Sequence, residues 1–186
     1  MHALASALAA GATEHGAEVR LRRVAETAPR SAIQGNPRWL EHADGTAPKV
    51  LEATLDDLEW ANGYAFGTPT RFGLPTVQLK GFLDTAGGLW ARGLLADKVG
   101  TAFTAASTAH GGLDTTLLAV NNTFYHWGSL VVPLGYGDPH LKKQSGNPYG
   151  ASFTGGSSDR PGDVELTAAR IQGGRLARFA AAVAAA

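Results

Sequence analysis

The sequence predicts an α/β domain in which helices cover both faces of a parallel sheet. Segments with apolar residues at helical spacing alternate along the chain with short apolar segments of strand length. One of these, residues 130–134, is almost entirely apolar, which is typical of a strand buried on both faces. The length of 186 residues suits a single domain.

In the first half of the chain, helical spacing of Leu4 and Leu8 predicts a helix over residues 3–15 that ends near Gly16. Alternating apolar and charged residues predict a half-buried strand near a sheet edge over residues 17–23. Residues 28–48 are rich in Pro and Gly and predict a long loop, a kind of segment that often binds ligands. A short helix over residues 49–57 and a strand over residues 61–66 are expected next.

In the second half, residues 67–73 are expected to be irregular, and the helix after them ends at Gly87. The remaining predicted segments are a helix over 75–86, a strand over 99–103, a loop over 104–112, a helix over 113–124, the strand 130–134, a loop over 135–156 and a final helix from 164. This alternation of helix and strand is the reason for predicting a parallel sheet.

Composition excludes several classes of function. Lys plus Arg and Asp plus Glu both number 16, so no net charge favours nucleic acid or an anionic membrane as a partner. Cysteine is absent, which excludes disulfides, thiolate catalysis and Cys-based metal sites. No apolar run approaches the ~20 residues that cross a bilayer. We expect a cytoplasmic protein.

Ligands of open α/β sheets bind at the carboxyl ends of the strands. Loops 67–73 and 104–112 and the segment after Leu134 should therefore share one rim. The first loop combines flexible glycines with a fixed turn, two hydrogen-bond donors and a flat apolar side chain: Gly67, Pro69, Thr70, Arg71, Phe72 and Gly73. A planar, electron-accepting heterocycle would suit it. The alternative is an ordinary strand-to-helix turn with a solvated arginine.

The second loop has small and hydroxyl side chains before a helix: Ala105, Ala106, Ser107, Thr108, His110 and Gly111. It could donate backbone N–H groups to a ligand, or it could be a helix entry with a Ser or Thr cap. His126 stands at the end of a predicted helix, where a histidine also complements the helix dipole. Trp90 follows a pair of glycines and could equally be a core or interface residue.

Two segments, residues 66–73 and 81–90, closely resemble the WrbA family of flavodoxin-like NAD(P)H:quinone oxidoreductases. Residues 103–116, 125–136 and 147–151 agree with the same family, and the similarity runs from Ala3 to the C-terminus. The resemblance implies a flavodoxin-like three-layer sandwich that binds FMN at the carboxyl rim of its sheet.

By that resemblance, Pro69 to Gly73 lie along the flavin ring, and Ala105 to Gly111 form the second flavin loop. His126 matches a histidine that usually approaches the flavin across a tetramer interface, and Trp90 matches an aromatic residue of the substrate pocket. The family often has more Ser, Thr and Gly in the second loop than the Ala105, Ala106 and His110 of this chain. Backbone contacts would survive that difference, whereas side-chain contacts would change.

The implied chemistry is two-electron transfer in a ping-pong cycle, in which NAD(P)H passes hydride to the flavin and the flavin then passes it to a quinone. No side chain is expected to act as a covalent catalyst. One alternative is a regulatory or interaction protein that has lost its cofactor, and another is a one-electron carrier flavodoxin. Carriers of that type are generally acidic, whereas this chain is neutral.

Family members begin with an apolar strand and a loop that holds the FMN phosphate at the start of the first helix. This sequence begins within that helix, so we expect a flavodoxin-like domain over residues 1–186 that is incomplete at its N-terminus. An upstream extension of the reading frame is the expected explanation. Weak or absent FMN retention is the expected consequence, and an internal strand would be missing from the order 2-1-3-4-5.

Overall fold

A computed structural model describes residues 1–143, 146–155 and 160–186 of the chain. Residues 144, 145 and 156 of the predicted loop 135–156 lie outside the described part. The helices are α1 (His2–Glu14), α2 (Arg30–Gln34), α3 (Pro37–Glu41), α4 (Leu55–Trp60), α5 (Val77–Asp84), α6 (Gly87–Ala91), α7 (Leu113–Trp127), α8 (Pro139–Lys143) and α9 (Asp163–Ala184). The strands are β1 (Gly63–Pro69), β2 (Val99–Ala106), β3 (Leu130–Val131) and β4 (Ser152–Thr154).

The sheet is parallel and is built around β2. Strand β1 pairs with one edge of β2 from Gly63 opposite Val99 to Pro69 opposite Ala105. Strands β3 and β4 share the other edge, β3 at the start of β2 and β4 at its end. The predicted strand 130–134 is shortened to two residues, Leu130 and Val131, in its pairing with β2. The predicted α/β fold is confirmed.

Helices cover both faces of the sheet. Alternate residues of β2 point to opposite faces, so Phe103 packs with Leu4 and Leu8 of α1, whereas Ala102 packs with Leu117 of α7. Helices α1 and α9 pack closely at two glycines: a Cβ on Gly11 or Gly173 would lie 1.9 Å from a carbonyl oxygen of the facing helix. Among the described residues, no helix has the length and apolarity needed to cross a membrane.

The predicted strand over residues 17–23 is wrong. These residues belong to no strand, and their one ladder contact is an isolated bridge between Arg23 and Glu52. Alternation of apolar and charged residues predicts only which side chains are buried. A strand also needs a neighbouring strand to pair with its backbone N–H and C=O groups. No described strand lies beside this segment, and β1 is unpaired on the edge away from β2.

Other boundaries also differ from prediction. The expected loop 28–48 contains α2, α3, a π-helical turn over His42–Thr46 and a 3-10 turn over Ala47–Lys49. The helix expected over 49–57 instead starts at Leu55, because Thr54 and Asp57 form a capping box at that point. Gly67 to Pro69, expected to be irregular, continue β1. Gly67 allows this because a Cβ there would lie 2.1 Å from the Phe103 ring.

Candidate functional site

The register of the sheet brings the two predicted binding loops together. Pro69, the last residue of β1, stands opposite Ala105 of β2, and the backbone N–H of Thr70 donates to the Ala105 carbonyl oxygen at 2.8 Å. Loop 70–73 and loop 107–112 therefore leave neighbouring strands at the same carboxyl edge. The prediction that these turns share one rim is confirmed.

The Thr70 hydroxyl connects the first loop to the second loop and to α7. It accepts a hydrogen bond from the Thr116 hydroxyl at 2.8 Å and another from the Gly73 backbone N–H at 3.2 Å. It lies 3.4 Å from the Gly111 carbonyl oxygen, to which it donates. These contacts hold the two loops in fixed relative positions, which a binding site for a rigid ligand requires.

Two glycines let the loops touch. Gly73 has φ +79 and Gly112 has φ +93, a region that other residues rarely adopt. A Cβ on Gly112 would lie 2.7 Å from the Cα of Gly73, so any side chain there would push the loops apart. Gly112 was not among the predicted site residues, although its place before α7 was a signal for a special turn.

Phe72 and Arg71 occupy the tip of the first loop. Phe72 has φ 54, which is unusual for a residue with a side chain, and its side chain is fully exposed. A strained backbone that holds an apolar ring in water indicates a functional position. The Arg71 guanidinium donates to the Thr70 carbonyl oxygen at 2.9 Å and pairs with no carboxylate among the described residues.

A cavity of about 270 Å³ lies between the loops. Six of the predicted residues line it: Pro69, Thr70, Arg71, Ala105, Ala106 and Ser107. Phe72, Gly73, Thr108, His110 and Gly111 lie in the same loops outside the cavity lining. Arg38, Phe153 and Gly155 also line the cavity and were missed, although Arg38 falls in the long segment suspected of binding ligands.

Unused backbone donors are present at Ser107, which lines the cavity, and at Phe72 and Thr108, which lie in the same two loops outside its lining. The backbone N–H groups of Phe72, Ser107 and Thr108 have no acceptor in the part of the chain that the structure describes. Donors beside a cationic side chain suit a ligand that carries several acceptor oxygens on a planar ring. The donor set therefore fits the isoalloxazine ring of FMN.

Trp90 and His126 do not line the cavity between the two loops. The Trp90 indole N–H donates to the His126 carbonyl oxygen at 2.9 Å, and both side chains are exposed. His126 is in the last turn of α7, so it lies roughly 20 Å along the helix from the loop end. Within one chain neither residue reaches the cavity, and a contact with its ligand would need a second copy.

Comparisons with known proteins identify the family of this chain. Residues 1–137 match the family described as NADPH-dependent FMN reductase. A protein of Deinococcus radiodurans named NAD(P)H dehydrogenase (quinone) is 46% identical over 82% of this chain and 76% of its own length. A protein of Rhodopseudomonas palustris with the same name is 44% identical over 97% of this chain and 90% of its own length.

Solved structures show the same fold. A flavodoxin-type, WrbA-like protein from Agrobacterium tumefaciens superposes with a TM-score of 0.67 at 24% identity, covering 97% of this chain and 89% of the other. A flavodoxin from the domain Archaea superposes with a TM-score of 0.59 at 16% identity, covering 97% and 90%. The resemblance to WrbA and the flavodoxin-like fold are both confirmed. The chain belongs to the NADPH-dependent FMN reductase family.

Proposed function

We propose that this chain reduces quinones with electrons from NAD(P)H and uses FMN as its cofactor. The names of the relatives and the family description support the reaction class. The observation that carries the proposal is the cavity between loops 70–73 and 107–112, with Arg71 in its lining and unpaired backbone N–H groups in both loops. When bound, FMN supplies the two-electron chemistry.

The protein's part is to bind and orient. Backbone N–H groups of Phe72, Ser107 and Thr108 would hold the oxygens of the ring, and the Arg71 charge would favour negative charge next to it. The cavity of about 270 Å³ lies just below the ~300–1,000 Å³ typical of ligand pockets. It therefore suits the ring system, with the rest of the nucleotide outside it.

The first test measures FMN binding and NAD(P)H oxidation in the presence of benzoquinone and added FMN. We expect quinone-dependent oxidation in the wild-type chain. Arg71→Gln removes a charged donor, which is worth about 1.5–3 kcal/mol, so FMN affinity should fall roughly ten- to a hundredfold. The control is Arg92→Gln, since Arg92 is an exposed arginine paired with Glu59. An Arg71→Gln variant that binds FMN as tightly as the control would contradict the proposal.

We infer that the working form is a homotetramer in which His126 of one copy approaches the cavity of another. Exposed apolar side chains lie around His126, namely Trp90, Tyr125 and Leu130. Such a patch on a protein surface commonly marks an interface. The distance of His126 from the cavity of its own chain makes a second copy necessary for its family role.

Mixing two variants, each impaired in a different part of the site, tests this inference. In a mixture of His126→Ala and Arg71→Gln chains, some sites would combine an intact loop from one copy with an intact histidine from the other. Quinone reduction by the mixture should then exceed that of either variant alone, after unfolding and refolding together. Activity no greater than the average of the two would contradict a site shared between copies.

A further inference from the structure

A buried threonine of α7 contacts the first binding loop. Thr116 lies near the start of α7, and its side chain is fully buried. Its hydroxyl donates a hydrogen bond to the Thr70 hydroxyl oxygen at 2.8 Å. Thr116 does not line the cavity between the two loops, the loop cavity, so any effect that it has on a ligand must act through Thr70.

The hydrogen bonds of the Thr70 hydroxyl use its whole bonding capacity. A threonine hydroxyl has one donor and two acceptor positions. The Thr116 hydroxyl and the Gly73 N–H, at 2.8 and 3.2 Å, fill both acceptor positions. The single proton is directed at the Gly111 carbonyl oxygen, 3.4 Å away. The Thr70 side chain therefore has no hydrogen bond left for a ligand, and its part in the site is to hold other groups.

Thr116 determines the direction of this chain of hydrogen bonds. Because Thr116 donates to Thr70, the Thr70 proton is left to point toward the second loop. A hydroxyl rotates about its C–O bond to suit the partners around it. Without the donor at position 116, the Thr70 proton could turn away from Gly111, and the link between the two loops would be lost.

The bond from Gly73 to Thr70 stabilises the turn at the tip of the first loop. Gly73 has φ +79 and Phe72 before it has φ 54. A positive φ at a residue with a side chain is strained and persists only where neighbouring contacts hold it. Here those contacts are the Gly73 bond to Thr70 and the paired backbone bonds between Arg71 and Leu74, at 2.8 and 3.0 Å.

We propose that Thr116 is a positioning residue for the bound flavin ring. Its hydroxyl fixes Thr70, and Thr70 in turn fixes the Phe72–Gly73 turn and the Gly111 end of the second loop. The inference deepens the proposed function and rests on it for the identity of the ligand. Loops that are already ordered bind a rigid ligand more tightly, because less conformational freedom is lost on binding.

The first measurement is amide hydrogen exchange at Gly73, by NMR, in the chain without flavin. Thr116→Val keeps the shape of the side chain and removes the donor, so the Gly73 N–H should exchange about fivefold faster. The amide of Val132, which donates to the Gly100 carbonyl oxygen at 2.7 Å, reports any general loss of stability.

Thr101→Val is the matched control. Thr101 is also buried, and its hydroxyl accepts from Gln172 at 2.6 Å on the opposite face of the sheet. This variant loses a buried hydrogen bond of the same kind, but it should leave exchange at Gly73 unchanged relative to Val132.

The second measurement is the affinity for lumiflavin, which has the flavin ring without the phosphate. Thr116→Val should raise the Kd for lumiflavin about fivefold, and Thr101→Val should not change it. Thr116→Ser restores the hydroxyl but removes a methyl group. It should bind lumiflavin as the wild-type chain does, although its free energy of unfolding falls.

Unchanged exchange at Gly73 in Thr116→Val would overturn the proposal, as would wild-type affinity of that variant for lumiflavin. Equal effects of Thr101→Val, or a Thr116→Ser variant that behaves as Thr116→Val, would assign the change to packing and overturn it too. Failure of the wild-type chain to bind lumiflavin would instead contradict the proposed function, and exchange at Gly73 would still decide the role of Thr116.

Discussion

The two edges of β1 belong to the same seven residues, but only one of them is paired with another strand. One edge pairs with β2 along its whole length, from Gly63 to Pro69. The other edge faces a cleft of about 1180 Å³, and the extended segment beyond it, residues 17–24, forms no strand. The difference shows that a segment becomes a strand only when a neighbouring strand lies beside it. Pairing satisfies the backbone hydrogen-bonding groups of both segments at once.

The largest effect on the free energy of unfolding is expected at Gln172 of α9, which bonds to β2 on the side where β1 is paired. This fully buried side chain accepts from the Ala151 N–H at 2.7 Å and donates to Thr101 Oγ1 at 2.6 Å and to the Ala102 carbonyl oxygen at 2.8 Å. Gln172→Leu leaves buried polar groups without partners, so the free energy of unfolding should fall by about 2–4 kcal/mol. Urea denaturation measures it.

Gln34→Leu is the control for this substitution. Gln34 is exposed at the end of α2, and its replacement should change the free energy of unfolding by less than about 0.5 kcal/mol. Equal changes in the free energy of unfolding at both positions would mean that the hydrogen bonds from α9 to β2 do not stabilise the fold.

An intermediate effect is expected at Gly100 in β2. A Cβ there would lie 2.4 Å from the Phe124 ring, so Gly100→Ala should lower the free energy of unfolding by about 1–3 kcal/mol. Gly81→Ala is the matched control: Gly81 is an exposed helical residue with no atom within 4 Å of the added Cβ. It should raise the free energy of unfolding by about 0.5–1 kcal/mol. Destabilisation by both would refute packing as the cause.

The smallest effect on the free energy of unfolding is expected at Asp57, which lies on the side of the unpaired edge of β1. Partial burial raises the pKa of its carboxyl, but hydrogen bonds from Arg22 and Thr54 and the Arg22 charge outweigh it, so the pKa lies below its usual value. After allowance for solvent screening, Asp57→Asn should cost about 0.5 kcal/mol at neutral pH. The neighbouring Asp56→Asn variant controls for the loss of a charge in the first turn of α4.

The pH dependence of this effect follows from linkage. A carboxyl with a depressed folded-state pKa contributes stability above its unfolded pKa of about 3.9, and the contribution is lost as pH falls through the folded pKa. The difference in unfolding free energy between wild type and Asp57→Asn should therefore be constant from neutral pH to about pH 5 and vanish in stronger acid. If the difference in unfolding free energy grew on acidification, the ion pair between Asp57 and Arg22 would not be what stabilises segment 17–24.

Local patterns predicted most of the fold because they depend on neighbours in sequence. The helical spacing of Leu113, Leu117, Val120 and Phe124 corresponds to α7, and the apolar run from Val99 corresponds to β2. The start of α4 was misplaced, although the Thr54 and Asp57 capping pair was present in the sequence. Arg38, Phe153 and Gly155 could not be found in this way, because only folding brings them to the loop cavity.

The sequence by itself determined the alternation of helix and strand, the composition of the two loops and the family resemblance, since each is a property of residue order. Tertiary structure alone decided that segment 17–24 forms no strand, that one edge of β1 is open, and that Arg38 and Phe153 line the loop cavity. The physical reason is that hydrogen-bond partners and distances arise between segments far apart in sequence, which no local pattern records.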